Sequence, residues 1–494
     1  MFMKSRKPVI QSRTLDQVLV DNKIPANTSL IGADMPNLDL SGLESKGMDF
    51  TAAKLVGATF EGAGLAGVDF TNADLSGANF KDAYLVDANF TGARLDGADF
   101  YKADLEGAIM DGAQMSKTTY IEANLMAASL KTVFGIAVTF DRACMIRSDL
   151  TDGILVSSSF IDTNMKNAVI NKCNLDKSDF TDAVMTMADL SSARMRMAIL
   201  KRTDLTRATM LATDMLGADL TSAKLVNTVL SEAVLANSNL HKANLSKSNL
   251  TQANLNNAAL SQTNLTDADL TLADLDGQFF SFTTLTGADL TSAKLSGADF
   301  SHVNLKNAVF VAAELKGAKF VEANLDGADL SWADCSGADF TNASMEKSLC
   351  EGAIMKSVCL VDVNGRAMSL LQCVLTGAKF FDSDLSKANL QGSVMEGAYF
   401  EGVSFNHANL SELDLSTTFI TNTDMKGTVL IETKLTGLSL LNIDFTGSNM
   451  TNTDLCGTVL DECDFTEVDM TTVKKTSLAR TRNINNGRNI NLTY

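Results

Sequence analysis

His241, His302 and His407 are the only histidines in this sequence, and they lie far apart. None has a cysteine, serine or second histidine arranged for metal binding or nucleophilic catalysis. The eight cysteines, at 144, 173, 335, 350, 359, 373, 456 and 463, are scattered without a single CxxC. That spacing argues against a zinc site or a disulfide framework and fits a reducing cytosol. No GxxxxGK[ST] or GxGxxG phosphate cradle opens a helix, and no cofactor is expected. What remains is charge. The chain carries 59 acidic against 41 basic residues, a formal net charge of −18. Asp269, Asp274, Asp289, Asp299, Asp329, Asp334 and Asp339 form a candidate acidic interaction surface. Arg194, Arg196, Lys201, Arg202 and Arg207 form a candidate basic contact belt, for an acidic partner or phosphate. Relief of repulsion between acidic halves would explain the belt equally well. Outward carboxylate pairs also serve catalysis in some β-helical enzymes, the weakest reading of these groups.

The elements that must position these charges are set by a period of five. In TNADLSGANFKDAYLVDANF, Leu75, Phe80, Leu85 and Phe90 are five apart, each with an alanine two residues before it. The frame holds from Leu30 to Met470 without insertion. Of its 89 positions, 86 are Leu, Met, Phe, Ile, Tyr or Cys, and only Ser45, Gly135 and Gly365 depart. Five matches neither a helix nor simple strand alternation. It fits a chain that advances one side of a square per five residues, with the large residue and the small one two before it turned inward. A coil of four sides then takes twenty residues. Twelve of the 25 phenylalanines do lie on multiples of twenty, from Phe60 to Phe400, with Tyr120 among them. The other three sides carry mostly leucine.

ADLSG at 73–77, ANLDG at 323–327 and ADLSW at 328–332 resemble the pentapeptide-repeat family, whose pattern is A(D/N)LXX. The resemblance spans most of the chain. It implies an all-β fold, a right-handed quadrilateral parallel β-helix; the frame itself gives about 22 coils and roughly 105 Å, and a short N-terminal capping helix is read from the residues before it.

Three parts are expected: an N-terminal cap over 1–29, the β-helix over 30–470 and a basic C-terminal tail over 471–494. Thr14 and Gln17 have capping-box spacing at the start of TLDQVLVD, with Leu15, Val18 and Leu19 as an apolar face. The tail holds five basic residues and no acid, as a loosely ordered end or a second cap would. Gly135, with oversized Val133, Phe134 and Val138 around it, predicts a bulge or kink, and Gly365 beside Met368 repeats the lapse. Gln278 stands at an inward small position, where a buried amide needs partners; it marks either a distortion or a site. From about 413 to 470 threonine replaces the inward alanine, a drifted section of the same coil. The N-terminus lacks the apolar run of a secretion signal, and no stretch is apolar for long enough to span a bilayer. The expected location is cytoplasmic, with export as an effector left open.

Of the 89 residues just before a frame position, 29 are Asp or Glu and 16 Asn, while only eight are Lys or Arg. Solubility of the repeat explains this, and so does a functional acidic rod. The expectation is a non-enzymatic scaffold or effector that binds a protein partner, with a homodimer left open. The sharper alternative comes from the resemblance: an acidic DNA mimic that inhibits or protects gyrase or topoisomerase IV, as fluoroquinolone-resistance members do. The chain is much longer than those members and lacks the loop insertions of the plasmid-borne ones. An acidic rod is not expected to bind nucleic acid directly.

Overall fold

The computed structural model describes residues 11–22, 29–474 and 480–482. The chain divides into two compact units, Met1–Leu245 and Ser246–Tyr494. Each is an all-β parallel solenoid, and the first also carries one short helix.

One turn builds both units. After each core residue the chain reverses through a four-residue turn with positive φ at its third position, as a type II turn requires. In the first unit, Ala78 N–H donates to Leu75 C=O at 3.0 Å, and Gly77 has φ 67°. In the second, Ala298 N–H donates to Leu295 C=O at 3.1 Å, and Gly297 has φ 69°. So little extended chain remains between corners that most sides make a single parallel bridge to each neighbouring coil. Asp69, for example, bridges Asp49 and Asn89, twenty residues either way. The main-chain bonds run from coil to coil: Phe80 N–H to Asp99 C=O at 2.7 Å, Asn79 N–H to Ala58 C=O at 2.9 Å, Gly77 N–H to Asp96 C=O at 2.8 Å. Backbone polar groups at the corners are therefore satisfied along the solenoid axis, which an isolated turn could not achieve.

Longer pairing appears on one side of each unit, at different places in the twenty-residue frame. In the first unit β1 (Phe134–Ile136) pairs with β2 (Ile154–Val156). In the second, β3 (Cys359–Val361), β4 (Lys379–Phe381), β5 (Tyr399–Glu401), β6 (Phe419–Thr421), β7 (Ser439–Leu441), β8 (Val459–Asp461) and β9 (Arg480–Arg482) stack in sequence order. β9 comes from the basic tail and pairs Val459 with Arg480, one residue beyond the usual twenty. This part of the tail thus adds a strand rather than running loose; the remainder lies outside the described residues.

The helix α1, Leu15–Asp21, starts with the expected capping box between Thr14 and Gln17. Val18 and Leu19 are buried, Leu15 is half-buried and Val20 is exposed. Arg13, just before the helix cap, is stitched to a coil edge: Arg13 N–H donates to Gly42 C=O at 2.7 Å and Glu44 N–H to Arg13 C=O at 2.9 Å. The Arg13 guanidinium reaches Asp21 at 2.6 Å and Asp39 at 3.1 Å. These contacts cover strand edges that a bare solenoid end would expose.

The interior follows the inward pair at every side. Core residues at multiples of five and the small residues two before them are buried almost throughout. Rings on multiples of twenty stack in parallel, with centroids 4.5 Å apart for Phe60–Phe80, 4.6 Å for Phe160–Phe180 and 4.4 Å for Phe280–Phe300. A second column, which the leucine-rich expectation missed, joins Phe50, Phe70 and Phe90 at 5.2 and 5.0 Å. It meets the first edge-on, as between Phe60 and Phe70 at 82°, the geometry the ring quadrupoles favour.

The expected bulge at Gly135 is absent: Gly135 pairs with Leu155 in the ordinary register. A Cβ there would stand 2.5 Å from Val138 Cγ2 and 3.0 Å from Met115 Cγ. The oversized neighbours thus fill the volume the missing side chain vacates, a volume-conserving exchange. Gly365 repeats the trade with Met368 Sδ and Leu385 Cδ2, each 2.7 Å from its would-be Cβ. The threonine-rich coils are equally regular. Thr428, Thr433, Thr453 and Thr458 donate their hydroxyls to core carbonyls 23 residues back, at 2.7–3.0 Å. A buried hydroxyl with such a partner costs little.

Two outcomes test this packing. Tyr120 is fully buried in the aromatic column, and its hydroxyl finds only the Met110 sulfur, at 3.6 Å. Tyr120→Phe should therefore leave stability unchanged or raise it by up to about 1 kcal/mol; a lower thermal midpoint would contradict the column. Gly77 has nothing within 4 Å of a would-be Cβ, so only its φ of +67° resists substitution. Gly77→Val should cost about 1–2 kcal/mol and Gly77→Asn less, read as lost amide-exchange protection at Ala78 and Leu75.

Candidate interaction surfaces

The seven candidate acids all lie in the second unit, but on three ladders rather than one face. Asp269 and Asp289 are direct bridge partners, whereas Val309 separates Asp289 from Asp329. Lys294 and Glu314 stand between Asp274 and Asp334, and Lys319 stands between Asp299 and Asp339. Only one pair of the seven is thus brought side by side.

Most of these carboxylates are also occupied locally. Their Oδ1 accepts the main-chain N–H two residues ahead, from Thr271 at 3.0 Å, Thr291 at 2.9 Å, Ser301 at 2.9 Å, Ser331 at 2.9 Å, Ser336 at 3.1 Å and Thr341 at 3.0 Å. Several of the same hydroxyls donate as well, Thr291 and Thr341 each at 2.6 Å. Asparagines make the identical bond, as Asn324 does with Asp326 N–H at 3.0 Å. The preference for Asp and Asn before each core residue is therefore a corner cap of the Asx kind. Its sequence signal, D-L-S or D-L-T, is readable in retrospect. Asp274 differs: its Oδ2 accepts from Asn256 at 3.0 Å while its buried Oδ1 has no partner. Burial alone would raise the Asp299 carboxyl, but bonds from Ser301 and the nearby Lys319 hold it below the ordinary value. Asp334 behaves likewise, held low against burial by Ser336 and by Lys316 at 3.3 Å.

The basic belt lies wholly in the first unit and is mostly neutralised there. Arg194 clasps Asp176, Arg196 reaches Asp214 at 2.6 Å, and Lys201 reaches Asp219 at 3.2 Å. Arg202 grips Asp182 with two bonds, at 2.7 and 2.6 Å. Among the described residues Arg207 makes no ion pair, and it is exposed. The pairing supports local charge relief as the belt's work.

Sequence reasoning missed the corner itself. Nearly every residue two after a core position has φ near +60°, whether or not it is glycine. Asn, Asp and Ser are frequent there, and Thr132 is the single β-branched residue among the described non-glycines with positive φ. These side chains lean onto the next coil: a Cβ on Gly92 would stand 2.5 Å from Asn72 Oδ1, and one on Gly107 2.5 Å from Asp87 Oδ1. A side chain at those corners would oblige Asn72 or Asp87 to move aside.

The remaining reactive groups are tied up or apart. His302 pairs with Glu322 at 3.0 Å on the surface. All eight thiols are free; burial pushes Cys173 and Cys373 up to about 12, the pattern of inert core fillers. No group of His, Cys, Asp and Glu suited to a metal ion occurs among the described residues. No helix among them is long and apolar enough to cross a membrane. At Gln278 the side-chain amide donates to Ala258 C=O at 2.5 Å. In neighbouring sides that place is held by a backbone N–H, as Asp274 N–H holds Ala253 C=O at 3.0 Å. The glutamine thus sits at a local distortion.

These bonds predict an acid limit. Burial would raise the Asp176 carboxyl, but Arg194 and the Arg196 N–H at 3.1 Å outweigh it and hold its pKa below 3.8. A folded-state value below the unfolded one contributes stability that is complete above pH 3.8 and fades as pH falls through the folded value. The thermal midpoint should therefore hold down to about pH 4 and drop below it. Asp176→Ala should reduce stability already at pH 7, by about 1–3 kcal/mol, because the Arg196 N–H loses its acceptor. The variant should also show a shallower acid slope.

The family profile described as Pentapeptide repeats (8 copies) matches residues 47–119, 143–196, 213–291, 293–331, 333–364 and 366–474. No curated protein matches the sequence. Among solved structures, HetL of the cyanobacterium Nostoc sp. strain PCC 7120, a pentapeptide repeat protein involved in heterocyst differentiation regulation, is 33% identical. The match covers 42% of this chain and 89% of HetL, with a TM-score of 0.22. A pentapeptide repeat protein from the Arabidopsis thaliana thylakoid lumen is 31% identical over 22% of this chain and 78% of its own, with a TM-score of 0.21. QnrB1, a plasmid-mediated fluoroquinolone resistance protein, is 18% identical over 40% of this chain and 88% of its own, with a TM-score of 0.22. With the profile matching well over half of its length and every matched segment built on the same corner, the chain belongs to the pentapeptide-repeat family.

Proposed function

We propose that this protein is a non-enzymatic interaction scaffold that presents side chains at fixed spacing to a protein partner. One observation carries the reading: the groups that could do chemistry are already bonded within the solenoid. Most of the candidate carboxylates cap corners, four of the five belt residues pair with Asp176, Asp182, Asp214 and Asp219, and the buried thiols are raised by burial. What is left outside is a hydrogen-bonded lattice of coils whose outward residues repeat every twenty positions, suited to recognition by surface. Four bridges per twenty residues support a four-sided coil. Its right hand and a total of about 22 coils belong to this proposal, as do end pieces over 1–29 and 471–494. The same holds for a cytoplasmic location.

A second reading, an acidic mimic of DNA acting on gyrase or topoisomerase IV, is favoured by short runs of carboxylates aligned on two separate ladders. Asp269 bridges Asp289, and Asp424, Asp444 and Asp464 follow one another in register. Lys426 lies 3.7 Å from Asp424 and 3.1 Å from Asp444, so part of that charge is already compensated.

Affinity capture from the source cell, followed by reconstitution with the purified partner, should give a stoichiometric complex and leave gyrase supercoiling unaffected at micromolar protein. Inhibition of supercoiling that weakens steeply with salt would favour the mimic. Failure of every captured protein to re-form a complex would overturn the scaffold.

A further inference from the structure

The repeat breaks its own rules most densely at GQFFSFTTL. Gln278, 4% exposed, stands where the repeat places alanine, and its Oε1 has no partner. Its amide takes the Ala258 carbonyl, and no bridge joins 259 to 279 among the described residues, although bridges hold at 254–274 and 264–284. One residue on, Phe279 is 67% exposed at a position that elsewhere favours Asp or Asn. Phe282 is 80% exposed at a corner with φ 57°, where a bulky ring is held against its backbone preference. Two large rings thus stand in water, one just before the turn from Phe280 to Thr283 and one within it, beside an opened ladder. Neither is needed for the core, which Phe280 fills. Such a concentration of local exceptions is where a functional site is expected.

The surroundings select the occupant. Between 262 and 302 the sequence holds six aspartates against the single Lys294. Asp299 is the bridge partner of Phe279 in the next coil, and Asp276 lies exposed before Gln278. Phosphate groups of nucleic acid or anionic lipid would be repelled here. A cationic chain with an apolar side chain would gain both burial of the rings and charge complementarity.

We propose that the Phe279–Phe282 face docks a segment of a partner protein in which an apolar anchor is flanked by Lys or Arg. The proposal rests on the scaffold reading and deepens it. The solenoid supplies the rigid backing, the two phenylalanines the anchor's contact surface, and the aspartates the steering field.

The test uses the full chain and fluorescent peptides: a central Leu-Phe pair flanked by lysines, the same pair flanked by glutamates, and a lysine-flanked Ser-Gly control. Anisotropy should show binding of the first peptide only, weakening with salt. Phe279→Ser combined with Phe282→Ser should reduce that binding at least tenfold, while the paired leucine substitutions retain most of it. Because both rings are exposed, the thermal midpoint of these variants should stay that of the parent. No binding of the first peptide, equal binding by the serine variant, or equal binding of the Ser-Gly control would overturn the proposal. So would concentration-dependent self-association that the serine variant abolishes, since the occupant would then be a second copy. A cellular partner captured equally by parent and serine variant would remove this face while leaving the scaffold standing.

Discussion

The corner is the constraint on which everything else depends. Each coil must turn a corner every five residues, and each corner needs a positive φ at one residue and a partner for every exposed main-chain group. The first demand is met at least cost by glycine, asparagine and aspartate, and at the remaining corners lysine, arginine, glutamate, alanine and others are held there by the fold. The second is met by the neighbouring coil and by the side chain before the core residue. Asp289 with Thr291 and Asp339 with Thr341 show the solution at 2.9–3.0 Å. Because each corner bonds to the corner twenty residues on, an insertion of one residue would misalign every bond along that side. That explains why a frame of 89 positions runs without insertion.

The same constraint decides what the charge is for. An aspartate bound to its own corner is still negative, but one oxygen is committed and its position is fixed by the turn. The basic side chains of the belt reach back or forward one coil to aspartates, as Arg202 does to the corner residue Asp182 and Lys201 to the cap Asp219. Much of the formal charge is thereby used within the solenoid. Surface ion pairs of this kind contribute little stability individually; their effect is to remove candidates for binding. Recognition is left to residues that the corner does not need, and these are the exceptions to the repeat.

The exceptions differ in kind, and their physics separates them. Gly135 and Gly365 lose a side chain that Val138 and Met368 replace in the same volume, so the register survives. Threonine in place of the inward alanine adds a hydroxyl that reaches a carbonyl 23 residues back, as Thr458 reaches Leu435 at 2.8 Å. Gln278 is too long for either remedy. It captures a carbonyl that belongs to the backbone ladder and leaves its own oxygen unpaired, and beside it two phenylalanines stand in water.

Sequence alone determined the period, the inward pair, the aromatic column from Phe60 onward and the helix capped by Thr14 and Gln17. Each of these depends on spacing along one chain, which a sequence displays directly. It could not distinguish a glycine that bends the chain from one that is filled by a neighbour, because that depends on volumes a coil away. Nor could it tell a solvating aspartate from a corner cap, or an open basic belt from one paired with Asp176 and Asp214. Those outcomes rest on contacts about twenty residues apart, between side chains whose directions are set only after the turns have formed. The tertiary structure decided them, and with them which surface groups remain free to meet a partner.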